Sequence, residues 1–207
     1  MGGTIRNRRL DGDETSIAIA LRRALASYDS PTGTHSGRVG DLAALIAPEL
    51  ELDSGGLLFP YAGFLHDLGK LGLPKELLSR PGPLSERERK DVERHPIIGS
   101  EVLLAISEEL APIAAGVRAH HERWDGLGYP DGLSGTRIPP LGRLLAVVDV
   151  YDVLTHRRSY RSSSFTRGRA MAYLSDHSGM QFDPDHVGAA VAVLRAQHKG
   201  RRQFAMN

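Results

Sequence analysis

Hydrophobic residues recur along this chain at intervals of three and four, the spacing that places side chains on one face of an α-helix. The pattern is clear over 35–50, where Val39, Leu42 and Ile46 share a face with His35. The same spacing predicts further helices over 14–28, 55–68, 85–95, 97–107, 111–122, 141–155, 166–176 and 184–197. Alternation typical of a strand never extends beyond a few residues, so the sequence predicts a single all-α domain, a helical bundle.

Turn-forming and capping residues set the expected limits of these helices. The stretch Asp29–Thr34 contains Ser, Pro and Gly and is expected to be a turn that ends the first helix. Ser85 and Glu88 form a capping box that opens another helix, which is expected to end at His95-Pro96. Asp183 followed by Pro184 is typical of the start of the last helix.

The domain boundaries follow from the polar ends of the chain. Residues 1–13 are polar and rich in Gly and Arg, and we expect them to be a flexible segment. The catalytic domain is predicted over 14–198, and 199–207 is predicted to be a solvated basic tail.

Composition excludes several classes of protein. The chain has 207 residues, a net charge of +1, 41% apolar residues and no cysteine, so disulfides and thiolate metal sites are excluded. The near-neutral charge argues against binding to a nucleic acid polymer or to an anionic membrane surface. No signal peptide and no apolar run of roughly 20 residues is present, and we therefore expect a cytoplasmic protein.

Five histidines and two aspartates are the candidate metal ligands. Most of them fall on apolar stripes or at predicted helix ends, where burying so many ionisable groups without a cation would be costly. They are His35, His66, Asp67, His95, His120, His121 and Asp149. The other four histidines, at 156, 177, 186 and 198, have polar neighbours and are expected at the surface.

Imidazole and carboxylate are suitable ligands for divalent first-row metals. Two carboxylates offset only part of the charge of two divalent ions, so a two-metal cluster with a bridging hydroxide would stay positive and would attract a phosphodiester anion. We expect iron or manganese, with magnesium, zinc and nickel as alternatives. Asp67, between His66 and Lys70, is the natural bridge between the two ions.

Four segments carry a resemblance to a known family. The string His66-Asp-Leu-Gly-Lys-Leu-Gly-Leu-Pro74 resembles the HD signature, and His120-His-Glu-Arg-Trp-Asp-Gly-Leu-Gly-Tyr-Pro130 resembles the signature of HD-GYP phosphodiesterases. Val148–Asp152 with Arg158-Ser-Tyr-Arg161, and Gly179–Pro184, are similar to later motifs of the same family. The resemblance implies an HD-domain helical bundle with a GYP loop that hydrolyses cyclic di-GMP to pGpG or GMP with a bridging hydroxide as nucleophile.

The resemblance also implies a role for each matching residue. One metal would bind His35, His66, Asp67 and Asp149; the other would bind His95, His120 and His121, with Asp67 shared. Lys70 would assist at the substrate phosphate, together with Asp67 in the catalytic machinery. The substrate-binding residues would be Gly128, Tyr129, Pro130, Asp152, Arg158 and Arg161.

Departures from the family pattern refine these expectations. Some relatives hold a third metal with a Glu four residues before the first histidine; this chain has Pro31 there, so two metals are expected. Val153 and Ser159 replace the usual Ala and Pro and are expected to alter packing or loop stiffness rather than metal ligation.

Two alternatives to cyclic di-GMP hydrolysis remain open. One is hydrolysis of another cyclic dinucleotide such as cyclic GMP-AMP, and the other is a catalytically weak module for signalling or partner docking. A regulatory or diguanylate cyclase partner and a homodimer are both left open.

Overall fold

The computed structural model describes residues 12–52, 58–80, 82–156 and 164–204, with side chains from 15 to 198. Within them the chain is helical and contains no strand, which confirms the predicted all-α fold. The helices are α1 (Gly12–Tyr28), α2 (Ser30–Ile46), α3 (Leu58–Leu65), α4 (Lys75–Ser79), α5 (Glu86–Val92), α6 (His95–Ile106), α7 (Ala111–Ala119), α8 (Pro140–Thr155), α9 (Arg167–Asp176) and α10 (Pro184–Phe204).

The expected turn after α1 is wrong. Residues 30–34 form the first turn of α2, and the Asp29 side chain accepts a hydrogen bond from the Thr32 backbone amide. Asp29 is therefore the N-cap, and Pro31 occupies the first turn, where its missing N–H costs nothing. Two helices consequently meet with only Asp29 between them.

The same correction applies at His95. The capping box of Ser85 and Glu88 is present, but α5 ends at Val92. His95 is the first residue of α6 and Pro96 lies in its first turn, so this proline starts a helix instead of following one.

The last helix also differs from its predicted extent. It runs to Phe204, so the backbone of 199–204 continues the helix instead of forming a separate tail. The remaining parts of the predicted flexible N-terminal segment and basic tail lie outside the described residues. Within the described residues, no helix combines the length and apolar character that crossing a membrane requires.

Close glycine contacts hold the central helices together. A Cβ built on Gly63 of α3 would lie 2.4 Å from the Gly40 Cα of α2, and one built on Gly69 would lie 1.9 Å from the His95 carbonyl oxygen. Helices can approach this closely only where no side chain separates their backbones. The Gly63 contact brings α3 against α2, and the Gly69 contact brings the start of α6 against the turn that follows α3.

Candidate metal centre

The candidate ligands come from five separate places in the helical bundle. His35 lies in the second turn of α2, His95 opens α6, and Asp149 lies inside α8. The His66-Asp67 pair directly follows α3, and the His120-His121 pair directly follows α7. All of these side chains except His121 are buried, and His121 is partly buried.

The structure brings all seven predicted ligands together in three overlapping groups. Within each group, one nitrogen or carboxylate oxygen of each residue lies within 4.8 Å of the others. The groups are His35, His66 and Asp149; His66, Asp67 and His120; and His95, His120 and His121. Because the middle group shares a histidine with each outer group, the seven side chains form one continuous cluster.

Three histidines are oriented by backbone carbonyls. In each, Nδ1 donates a hydrogen bond to the carbonyl oxygen of the residue three positions earlier, which leaves Nε2 as an unprotonated ligand atom. The bonds join His66 to Gly63 (2.7 Å), His95 to Val92 (2.7 Å) and His120 to Val117 (2.6 Å). The Nε2 atoms of His95 and His120 are 3.2 Å apart, so both point into the cluster.

The surroundings of the His66 Nε2 atom indicate whether metal ions fit this cluster. This atom is buried and has no hydrogen-bond partner among the described residues, which would be costly without a ligand. Its nearest carboxylate oxygen, on Asp67, is 3.4 Å away. A donor set of imidazole nitrogens and carboxylate oxygens without thiolates suits iron, manganese or zinc, so the residues fit divalent metal ions.

Asp67 lies between the outer groups. Its Oδ1 is 3.3 Å from His95 Nε2, and its Oδ2 accepts a hydrogen bond of 2.6 Å from Lys70 Nζ. Lys70 is partly exposed while Asp67 is 2% exposed, so the ammonium group lies on the open side of the cluster. The carboxylate can therefore contact ligands of both outer groups.

His35 is held by two aspartates. Its Nε2 is 2.9 Å from Asp149 Oδ1, and its Nδ1 donates to Asp152 Oδ2 at 2.7 Å. Arg38 in turn donates to Asp152 from Nε and Nη2, at 2.6 and 2.8 Å. Sequence reasoning missed Arg38, although its spacing of three from His35 places both on one side of the helix.

Burial sets the protonation of His95, His120 and His121. It lowers the pKa of His95 to about 3 and that of His121 to about 4, and it holds the pKa of His120 well below its usual range. These imidazoles are therefore neutral at pH 7, as metal binding requires.

The carboxylates and His35 carry charge in the metal-free protein. Burial opposes the charge of Asp67, but the Lys70 ammonium group holds its pKa well below the usual value. Burial likewise opposes the charge of His35, yet hydrogen bonds to Asp149 and Asp152 raise its pKa to about 9. The pKa of Asp149 is lowered, against the effect of burial, by its hydrogen bond with His35.

The loop after α7 is organised by Glu122, which is 3% exposed. Its carboxylate accepts hydrogen bonds from the backbone amides of Asp131 (2.7 Å) and Leu133 (3.0 Å). Tyr129 donates from its backbone amide to the His121 carbonyl (3.2 Å), and its ring packs on the His121 ring with centroids 4.8 Å apart. The loop therefore places Tyr129 at the rim of the cluster.

The other residues predicted to bind substrate do not all lie at the rim of the cluster. Gly128 packs so tightly that a Cβ would lie 2.4 Å from the Arg123 amide nitrogen, and Pro130 follows Tyr129 through a cis peptide bond. Asp152 is buried behind His35. Arg158 and Arg161 lie outside the described residues, and the substrate contacts of all these residues stay predictions.

One histidine expected at the surface is buried. His186 is 4% exposed, with Nδ1 3.1 Å from Asp183 Oδ2 and Nε2 3.2 Å from the Pro140 carbonyl oxygen. Arg143 also donates to Asp183, at 2.6 Å. Asp183 directly precedes α10, and the spacing of three places its side chain beside that of His186 on the inner side of the helix. His186 is therefore buried although its neighbours in the sequence are polar.

Comparison with known proteins identifies the family. A family profile described as HD domain matches residues 20–186, most of the chain. The chain belongs to the HD domain family. A cyclic di-GMP phosphodiesterase response regulator of Xanthomonas campestris is 39% identical over 178 residues, 85% of this chain and 47% of the relative. A 3'3'-cGAMP-specific phosphodiesterase of Vibrio cholerae is 34% identical over 185 residues, 87% of this chain and 35% of the relative.

A solved structure supports the fold assignment. The HD domain of the phosphodiesterase PgpH from Listeria monocytogenes, in complex with cyclic-di-AMP, aligns with a TM-score of 0.63 at 20% identity. The alignment covers 87% of this chain and 96% of that one. The HD-GYP resemblance is confirmed by the curated relatives, of which the chain spans less than half the length.

Proposed function

We propose that this chain is a metal-dependent phosphodiesterase that hydrolyses cyclic di-GMP. The observation that carries the proposal is the continuous cluster of seven side chains, in which two three-residue groups flank Asp67. His35, His66 and Asp149 would hold one divalent ion and His95, His120 and His121 the other, with Asp67 shared. Such a pair of ions supplies charge neutralisation and an activated water for in-line attack on a phosphodiester.

The remaining steps fall to side chains on the open side of the cluster. Lys70, whose ammonium group is 2.6 Å from Asp67, would bind the substrate phosphate and donate a proton to the leaving oxygen. Tyr129 packs on His121 and would bound the pocket for a nucleobase or ribose, with Gly128 and Pro130 shaping the loop beside it. Arg158 and Arg161 would recognise guanine or phosphate.

Curated relatives support the substrate class. Several are named cyclic di-GMP phosphodiesterases, among them proteins of Vibrio cholerae and Thermotoga maritima that are 37% and 34% identical to this chain. Relatives named as specific for 3'3'-cGAMP favour a second candidate substrate, cyclic GMP-AMP. Relative rates on cyclic di-GMP, cyclic GMP-AMP and cyclic di-AMP would separate these candidates.

The test is hydrolysis by protein loaded separately with iron(II), manganese(II), magnesium or zinc. We expect linear pGpG or GMP from cyclic di-GMP with at least one of these metals. Asp67→Ala should lose bound metal and turnover together, whereas Asp176→Ala, which removes an exposed aspartate of α9, should retain both. Absence of linear product with every metal would refute the proposal, as would full turnover by Asp67→Ala.

A further inference from the structure

We propose that Arg38 and Asp152 form a positioning pair that fixes the His35 ring for metal binding. The proposal rests on the proposed function in that His35 is taken as a metal ligand. It assigns a role to Arg38 and replaces the substrate contact predicted for Asp152.

The carboxylate of Asp152 is fully engaged by side chains of this chain. Its Oδ2 accepts from His35 Nδ1 and Arg38 Nη2, at 2.7 and 2.8 Å. Its Oδ1 accepts from Arg38 Nε at 2.6 Å and lies 2.9 Å from His156 Nδ1. With 1% exposure and four neighbouring nitrogens, the carboxylate has no open acceptor position for a nucleotide.

His35 differs from the three histidines that backbone carbonyls orient. A carbonyl within a helix end is fixed, whereas the Asp152 side chain can rotate unless something holds it. The two parallel bonds from the Arg38 guanidinium hold both carboxylate oxygens in one plane, a geometry that lysine cannot reproduce. Arg38 therefore fixes Asp152, and Asp152 fixes the direction in which His35 Nε2 points.

The outer side of this pair is accessible. Arg38 and Asp152 line a cavity of about 300 Å³ whose other walls include Leu42, Phe165 and Leu194. A guanidinium ion is small enough to enter such a space, so a truncated Arg38 can be replaced chemically from solution.

The experiment measures zinc binding by calorimetry in Arg38→Ala, Arg38→Lys and Asp152→Ala. We expect the ion at His35 to bind roughly 10–100-fold more weakly in all three, while the ion at His95 and His121 keeps its affinity. Millimolar guanidinium should restore affinity to Arg38→Ala but not to Asp152→Ala. Arg80→Ala, which breaks an exposed ion pair with Glu88, is the matched control and should bind both ions normally.

Unchanged binding of both ions by Arg38→Ala and Asp152→Ala would overturn the proposal, as would equal loss of both ions in the two variants. If Asp152→Ala fails to fold, the partly exposed Arg38 variants and guanidinium rescue decide the question. A wild-type chain that binds two zinc ions yet hydrolyses no cyclic dinucleotide would refute the proposed function alone.

Discussion

Hydrogen bonds at Nδ1 determine which ring nitrogen His66, His95 and His120 present to the cluster. Burial alone would allow His66, His95 and His120 to adopt either neutral tautomer, but carbonyl acceptors place the hydrogen on Nδ1. The ligand atoms are consequently oriented before any metal arrives. Such preorganisation reduces the free energy needed to order the site on binding.

Lys70 offers a prediction that separates catalysis from metal binding. Lys70→Met should lower turnover by about 100-fold or more while both ions remain bound, because the ammonium group contacts Asp67 from the open side rather than holding metal. Turnover and metal content are measured on the same preparation. Lys90→Met, at an exposed ion pair with Glu86, should leave both unchanged; loss of metal by Lys70→Met would contradict the assignment.

The metal-free protein should be most stable near pH 6.5. Above that value the folded chain keeps the proton on His35, whose pKa is raised to about 9, so stability falls as pH rises. Below pH 6.5, His95 and His121 become protonated in the unfolded chain but stay neutral in the folded chain, since burial lowers their pKa values to about 3 and 4. Stability therefore also falls as the pH decreases. Each proton bound by only one of the two states changes the free energy of unfolding by about 1.4 kcal/mol per pH unit.

Thermal unfolding in the presence of chelator measures this dependence. The midpoint should decline from pH 6.5 toward both 5 and 9, and His35→Gln should lose the alkaline decline only. A wild-type midpoint that stays level or rises between pH 7 and 9 would contradict the hydrogen bonds described for His35.

Residue types and spacing predicted which side chains would converge but not how each is held. The inward histidines and the aspartates were visible as polar groups on apolar stripes. Arg38 was not, because a half-buried arginine has the same sequence signal as a solvated one. The burial of His186 is not visible in the sequence, because the Pro140 carbonyl oxygen beside its Nε2 lies 46 positions away in the chain and becomes a neighbour only in the fold.

At the scale of elements, helix ends are positioned by close backbone contacts. Gly69, in the turn after α3, lies against the first turns of α6, and its missing side chain lets His95 approach Asp67. A Cβ there would also meet the Gly99 amide nitrogen at 2.6 Å. These neighbours are backbone atoms and cannot rotate away.

Gly69→Ala should therefore separate α6 from the turn that carries Asp67. We expect a loss of about 1–3 kcal/mol in the free energy of unfolding, together with weaker binding of the ion at His95. Chemical denaturation and metal titration measure the two effects.

Gly188→Ala is the matched control, since a Cβ at this exposed position of α10 meets nothing within 4 Å. It should stabilise the protein by about 0.4–1 kcal/mol and leave metal binding intact. A Gly69→Ala variant as stable as the wild type would show that the two backbones can separate at little cost.

Helix existence was predictable from periodicity, whereas two helix starts were not. The prolines that follow Asp29 and His95 are typical of helix ends, yet in both places the proline occupies the first turn of the next helix. The local signals for either outcome are alike, and the difference arises from which flanking residues the core buries. The placement of His35 in the second turn of α2 and of His95 at the first position of α6 could therefore be seen only in the structure.

The whole molecule brings together five chain segments spread over 115 positions, from 35 to 149. No segment supplies enough donors for one ion by itself, so the complete cluster depends on the folded bundle. Metal binding and folding should consequently stabilise each other, because ions that bind only the folded state shift the equilibrium toward it.

Anomalous X-ray scattering from crystals of manganese-loaded protein tests the central claim most directly. We predict two peaks about 3.5–4 Å apart, one beside His35 and Asp149 and the other beside His95 and His121, with Asp67 contacting both. A single peak, or peaks away from these side chains, would contradict the two-metal site on which the proposed activity depends.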